Sequence, residues 1–272
     1  MTEWRLMLLG KRGGGKSSVG NTILGWNVFN TDMQLARVTQ FCERVNGHVD
    51  GKPVAVIDTP GLNNRKRAEK DIIREILKSV SLYKPGPHVF LLVLPLGNLT
   101  NEDKDMNKLI ENVFGKQIWD YTIILFTHGD RLEGKTLNEV IASSDKDLRN
   151  FIRKCSGGFL VFNNKEPSNR EQVSKLLEKV ETLVAINGHG CYTTALYPAP
   201  ERKIREKQAK ILQERQEEIA RKERELAENY DDEEELERKI REMWREEEED
   251  ARKLAENNSL RKFSINVHKA QT

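Results

Sequence analysis

Three cysteines in 272 residues, Cys42, Cys155 and Cys191, are too few, odd in number and wrongly spaced for a disulfide framework or a thiolate metal site. They suit reduced thiols, and a cytoplasmic location is expected. No apolar run approaches the roughly 20 residues that cross a bilayer, so a membrane-spanning helix is not expected. Residues 1–10 lead straight into the first motif, so a secretory leader is not expected. Thr2 stands where myristoylation needs glycine, and residues 269–272 hold no cysteine for a prenyl group, so membrane contact is expected to be peripheral or indirect. An excess of one charge is lacking too. Lys and Arg total 45 against 43 acidic residues, a net charge of +2, which argues against nucleic acid as a partner.

The charges that are present, 32% of the chain, crowd after Glu201, whereas residues 1–196 hold apolar runs able to build a core. Short apolar segments at 4–9, 54–57, 89–94, 122–126 and 159–162, each closed by turn or polar residues, have the composition of buried strands. Residues 17–24 follow the first glycines with helical length and composition. Residues 71–80, 102–113, 145–153 and 170–186 repeat apolar side chains at three- and four-residue spacing, the period of an amphipathic helix. Such alternation predicts an α/β fold, a mainly parallel sheet with helices on both faces. Residues 41–49, beside the turn signals Asn46-Gly47 and Asp50-Gly51, are expected to add an antiparallel edge strand leading into Val54.

Asn187-Gly188-His189-Gly190, followed by Pro198 and Pro200, reads as a helix stop and a connector. The expected organisation is a globular domain over 1–190, a connector over 191–200 and a charged helical extension over 201–256. Glu, Lys, Arg, Gln and Ala dominate that extension without proline or glycine, which predicts one long helix. Its apolar residues, among them Ile204, Ile211, Ile219 and Leu226, are too sparse for a sustained coiled-coil seam. The short, mixed tail 257–272 is expected to be disordered.

Residues 10–17, Gly10-Lys11-Arg12-Gly13-Gly14-Gly15-Lys16-Ser17, fit glycine, four residues, then Gly-Lys-Ser, placed between a strand and a helix as a phosphate-binding loop is. Glycines let the backbone wrap close to phosphate, and successive amides with the helix start face the anion. Lys16 is expected to neutralise the β and γ oxygens and Ser17 to ligate magnesium, with Ser18 beside it as a further nucleotide contact. Asp58-Thr59-Pro60-Gly61 leaves the carboxyl end of a strand, where α/β sheets bind ligands. Asp58 is a candidate to hold magnesium through water and Gly61 to sense the γ-phosphate. The Asn-Lys-x-Asp with which most GTPases read guanine is absent, and Thr127-His128-Gly129-Asp130 stands in its place. Asp130 is suited to accept both the ring and exocyclic N–H groups of guanine, a donor pair that adenine lacks. His128 lies against the base or simply faces solvent. On these residues alone guanine is narrowly favoured, and ATP stays open as an alternative.

The runs GKRGGGKSSVGNTILG from Gly10, DTPGL from Asp58 and LGNLTNEDKDMNKLIENVFG from Leu96 resemble the GTPases of immunity-associated proteins, relatives of septins and of chloroplast import-receptor GTPases. The resemblance covers residues 4 to about 190 and implies the P-loop NTPase fold with GTP or GDP and Mg2+ as ligands. The third run looks like a box particular to that family. FTHGD from Phe126 and FNN from Phe162 look like its guanine-binding elements, and Asn163 would contact the base. Residues 36–42 resemble the first switch, which makes Thr39 the second protein ligand to magnesium. Thr31 matches a serine or threonine near the ribose or α-phosphate in relatives, and a turn threonine facing water fits it as well.

Many GTPases place a glutamine directly after the switch glycine to orient the attacking water, but this chain has Leu62. Solitary hydrolysis is therefore expected to be slow. The resemblance implies dimerisation across nucleotide faces, with an arginine after the Leu-Gly of the box acting across the dimer. That position is Asn98, so Arg12 and Arg65 remain as substitutes or as plain surface charges. Two readings stand open: a GTPase stimulated by forming a homodimer or higher oligomer, and a GTP-held scaffold that assembles on itself or on a membrane. The extension either docks in one nucleotide state and releases in the other, or is an inert solvated helix.

Overall fold

In the computed structural model the described residues are 2–31, 41–62 and 69–269, with side chains described as far as 257. Strands β1 (Trp4–Leu9), β2 (Glu43–Val49), β3 (Lys52–Asp58), β4 (Val89–Pro95), β5 (Thr122–Thr127) and β6 (Phe159–Val161) form one sheet in the order β2-β3-β1-β4-β5-β6. β2 runs antiparallel to β3 at one edge, and every other pairing is parallel. Central β1 sets Met7 opposite Ile57 on one side and Phe90 on the other. Leu6, Met7, Leu8 and Leu9 are all buried, which explains the unbroken apolar run: a strand covered on both faces has no side to give to water.

The helices of this region are α1 (Lys16–Leu24), α2 (Glu69–Lys78), α3 (Val80–Tyr83), α4 (Asn101–Phe114), α5 (Leu137–Ser143), α6 (Lys146–Lys154) and α7 (Glu171–Ile186). Leu6, Leu8 and Leu91 share a core with Val19 and Ile23 of α1 and with Val173, Leu176 and Val180 of α7. Alternate residues face the other way. There Phe90 meets Phe114 of α4 edge-on, ring centroids 5.3 Å apart, and Tyr192 at 5.1 Å.

The chain divides into two compact units, Met1–Ile76 with Ser81–Tyr197, and Leu77–Val80 with Pro198–Thr272. The globular unit thus ends later than expected, because Tyr192 and Tyr197 are buried aromatic partners of Phe114 rather than parts of a connector. The second unit holds α8 (Ala199–Glu214), α9 (Gln216–Asn229) and α10 (Glu233–Lys269), three helices instead of one. α10 begins where Asp232 accepts the Glu235 amide at 2.7 Å, and Arg252 on α10 holds Glu201 on α8 by two bonds of 2.6 and 2.8 Å. Folding back buries Ile219, Ala251 and Ala255, which a straight solvated helix would leave in water. The α10 backbone is described as far as Lys269. Among the described residues no helix is long and apolar enough to cross a membrane.

Candidate functional site

The loops that leave the carboxyl ends of β1, β3 and β5 and the residues that follow β6 meet around residues 10–17. Gly10 lies so close to β4 that an added Cβ would stand 2.5 Å from the Val93 carbonyl oxygen. Gly13 and Gly15 have φ of +73° and +94°, the left-handed region that glycine enters without steric cost. Gly15 starts α1, accepting the Val19 amide at 2.8 Å, and no side chain caps that start. Helix starts of this kind favour anions, because amides and the helix dipole point the same way.

Lys16 is buried, and its ammonium donates to the Lys11 carbonyl at 3.0 Å. Burial lowers the Lys16 pKa, while nearby Asp58 pulls it upward. Ser17 Oγ donates to Asp58 Oδ2 at 2.6 Å, and Asp58, 1% exposed, also accepts the Thr59 amide at 3.0 Å. The segment after β3 lies against the loop. Leu62 N–H donates to the Gly10 carbonyl at 3.0 Å, and a Cβ on Gly61 would meet Arg12 Cα at 2.5 Å. Gly61 therefore approaches the loop as closely as two backbones allow. Half-buried Arg12 and Ser18 complete this end.

Thr127, at the end of β5, donates its hydroxyl to the Gly14 carbonyl at 3.0 Å and lies 3.0 Å from His128 Nδ1. His128 adopts φ of +64°, which turns the chain so that the Gly129 amide donates to the Phe162 carbonyl at 3.0 Å. Asp130 is paired with Lys165, whose ammonium holds the Asp130 carboxyl below its usual pKa. Asn163 Oδ1 accepts the Lys165 amide at 3.1 Å, and the Asn163 backbone amide donates to Gln172 at 2.9 Å. Asn164 turns the other way and accepts from Thr22 of α1 at 3.0 Å. Phosphate loop, Asp58 segment, His128–Asp130 turn and Asn163 thus form one connected cluster.

Thr39 and Arg65 lie outside the described residues. Thr31 is exposed at the end of the described segment 2–31. Asn98 is exposed, its side-chain oxygen accepting the Asp145 amide at 3.4 Å at the start of α6. The structure adds four residues that sequence reasoning passed over. Thr127 ties the base end to the loop and Asn164 ties it to α1, Lys165 occupies Asp130, and Asp103 holds Lys11 at 3.0 Å. Thr127 and Asn164 stood within the quoted motifs, THGD and FNN, without a role of their own. Asp103 had a helix-start signal, since Thr100 and Asp103 form a capping box.

A family model described as AIG1 family matches residues 4–216. GTPase IMAP family member 8 of Homo sapiens is 38% identical over 191 residues, 69% of this chain and 29% of that protein. Immune-associated nucleotide-binding protein 10 of Arabidopsis thaliana is 36% identical over 231 residues, 82% of this chain and 49% of that protein. The chain therefore spans less than half the length of either curated relative. Among solved structures, Toc33 from Arabidopsis thaliana in complex with GDP and Mg2+ is 21% identical, with a TM-score of 0.54 over 67% of this chain and 84% of that one. At that identity the likeness shows a shared fold.

Proposed function

This chain belongs to the AIG1 family, and on that footing we propose that it is a guanine-nucleotide switch protein that binds GTP and GDP with magnesium. The observation that carries the reading is the pairing inside the loop. The Lys16 ammonium rests on a carbonyl and the Ser17 hydroxyl on the Asp58 carboxylate, so the groups a magnesium-bound phosphate requires are already gathered. Ser17, Thr39 and Asp58, the last through water, are the hard oxygen donors that suit Mg2+. Bound there, magnesium supplies charge neutralisation between phosphate oxygens. Amides of residues 10–18 and Lys16 hold the phosphates. Asp130 reads the guanine N–H pair in exchange for its Lys165 partner, with His128, Gly129 and Asn163 around the base and Thr31 toward the ribose.

Leu62 is buried against the loop and carries no group to orient water, so the solitary chain hydrolyses GTP slowly. Dimerisation across the nucleotide faces raises that rate, with Arg12 or Arg65 as candidate cations, since Asn98 offers none. The second reading, a non-hydrolysing scaffold that assembles on itself or peripherally on a membrane, is favoured by the same Leu62.

Calorimetric titration with GDP and ADP in Mg2+, followed by GTP hydrolysis across a wide protein concentration range with mass recorded in each state, tests the proposal. GDP is expected to bind at least about 100-fold tighter than ADP, the scale of a site whose buried polar groups fit only one partner. Equal affinity sinks the guanine reading. Specific activity that climbs as GTP-state dimers form supports stimulated hydrolysis, and a flat, negligible rate with dimers present supports the scaffold.

A further inference from the structure

The run from Leu96, singled out as a box of its own, enters the reading above only through Asn98, yet its helix reaches the phosphate loop. Asp103, third residue of α4, stands with Oδ1 3.0 Å from the Lys11 ammonium, at side-chain exposures of 6% and 23%. Its other oxygen is already committed. Asp103 Oδ2 accepts from Thr100 N at 3.0 Å and Thr100 Oγ1 at 2.6 Å, and Thr100 Oγ1 accepts the Asp103 amide at 3.2 Å. Burial pushes the Asp103 pKa up, but the Thr100 bonds and the Lys11 ammonium outweigh it and leave the carboxyl below its usual value. This carboxylate is thus ionised and held by the start of α4.

Lys11 is also the hub of the loop's backbone. Its carbonyl accepts the Gly14 amide at 3.2 Å and the Lys16 ammonium at 3.0 Å, and it pairs with Leu62 across a short parallel bridge. A residue with these duties must not swing. A lysine one position into an anion-binding loop would otherwise turn its ammonium toward the phosphates and carry the carbonyl with it.

We propose that Asp103 is a positioning residue of the phosphate loop: by holding the Lys11 ammonium it fixes the Lys11 carbonyl and keeps this second cation out of the phosphate site. α4 is then the element that grips the loop. The inference rests on the nucleotide reading above and adds the residue that preorganises it.

Release of a fluorescent N-methylanthraniloyl GDP from the full chain, followed by stopped flow with thermal midpoints recorded alongside, decides the matter. Asp103→Asn and Lys11→Met are each expected to speed release about tenfold, the scale of losing one partner of a partly buried charge pair. The double variant is expected to release no faster than either single one, because both remove the same link. Lys11→Arg, which keeps the charge, restores a rate within about twofold of the parent. Four results overturn the proposal. Asp103→Asn lowering the midpoint while Lys11→Met leaves release unchanged makes Asp103 only a helix cap. Asp103→Asn slowing release while Lys11→Met speeds it makes Lys11 a phosphate ligand restrained by Asp103. A parent chain that binds no labelled GDP overturns the nucleotide reading and this inference together, whereas parent binding with unchanged variants overturns this inference alone.

Discussion

The two units of the chain bury different materials. In the sheet unit the interior is Leu, Val, Ile and Phe, with Leu6, Val56, Phe90 and Ile124 wholly inaccessible. In the helical unit the buried side chains include Arg205, Gln208, Glu247, Glu248 and Arg252, with only Ile219, Ala251 and Ala255 as apolar companions among the described residues of α8, α9 and α10. Arg252 answers Glu201 and Glu256, and Glu247 answers Arg215 and Lys222 at 3.3 and 2.5 Å. Apolar burial is non-directional and tolerates small shifts, whereas a buried charge is tolerable only while its partner stays in place. The sheet unit is thus held by quantity of contact and the helical unit by correctness of pairing.

The largest effect expected from this contrast is in the sheet. Phe90→Ala empties the centre of the aromatic cluster and should lower stability by about 4 kcal/mol in denaturant unfolding. A loss under about 1 kcal/mol would mean that stability lies elsewhere than the apolar core. Next comes Arg252→Ala, which strands two carboxylates and should destabilise the helical unit by about 3 kcal/mol, read from the fluorescence of Trp244. Replacing the set together, Arg252→Met with Glu201→Leu and Glu256→Gln, should recover most of that loss, because pairing rather than charge is what the site needs. If the triple variant is as unstable as the single one, the contrast fails.

Acid should separate the units more gently. Burial and the Arg5 guanidinium push His88 from 6.5 to about 4, so the folded sheet keeps it neutral while the unfolded chain protonates it. That contribution is present above pH 6.5 and is lost as pH falls toward 4. Glu247 is pushed up by burial but held lower overall by Lys222 and Arg215. Its contribution is present above 4.5 and is lost only as pH falls below that value. Unfolding curves between pH 7 and 4 should therefore show the sheet unit weakening first, about one to two pH units before the helical one, and His88→Leu should remove the earlier loss. The smallest effect, about 0.3 kcal/mol, is expected for Arg241→Ala, which breaks an exposed pair with Glu237 one helical turn away.

Much of the sheet was legible because the apolar runs of β1, β3, β4 and β5 are short and closed by turn or polar residues, and that length decides for a buried strand over a buried helix. Residues 41–49 were legible as an edge strand from their turn signals. Helix α5 was missed because it is only seven residues long and none is buried, so Leu137, Val140 and Ile141 give a single turn of apolar spacing, although its Thr136–Glu139 capping box was in plain view. The break at 215 left no trace because every residue there tolerates a helix, whereas the one at 230–232 had a signal that was passed over, Asp232 with Glu235 three residues on; the fold-back it allows joins Glu201 to Arg252 across 51 positions. In the site, the phosphate end was readable because glycines are forced by backbone geometry. The partners Thr127, Asn164, Lys165 and Asp103 arrive by folding, and polar residues of those types are common on any surface.

The bond from Thr127 to the Gly14 carbonyl also bears on the order of synthesis. The phosphate motif is written within the first 17 positions, yet that buttress follows 113 residues later, and the Asn164 contact with Thr22 spans 142. A nascent chain on the ribosome therefore carries a complete motif long before it has a complete pocket. Nucleotide capture, as proposed above, would then await β6, the last parallel strand of the sheet unit.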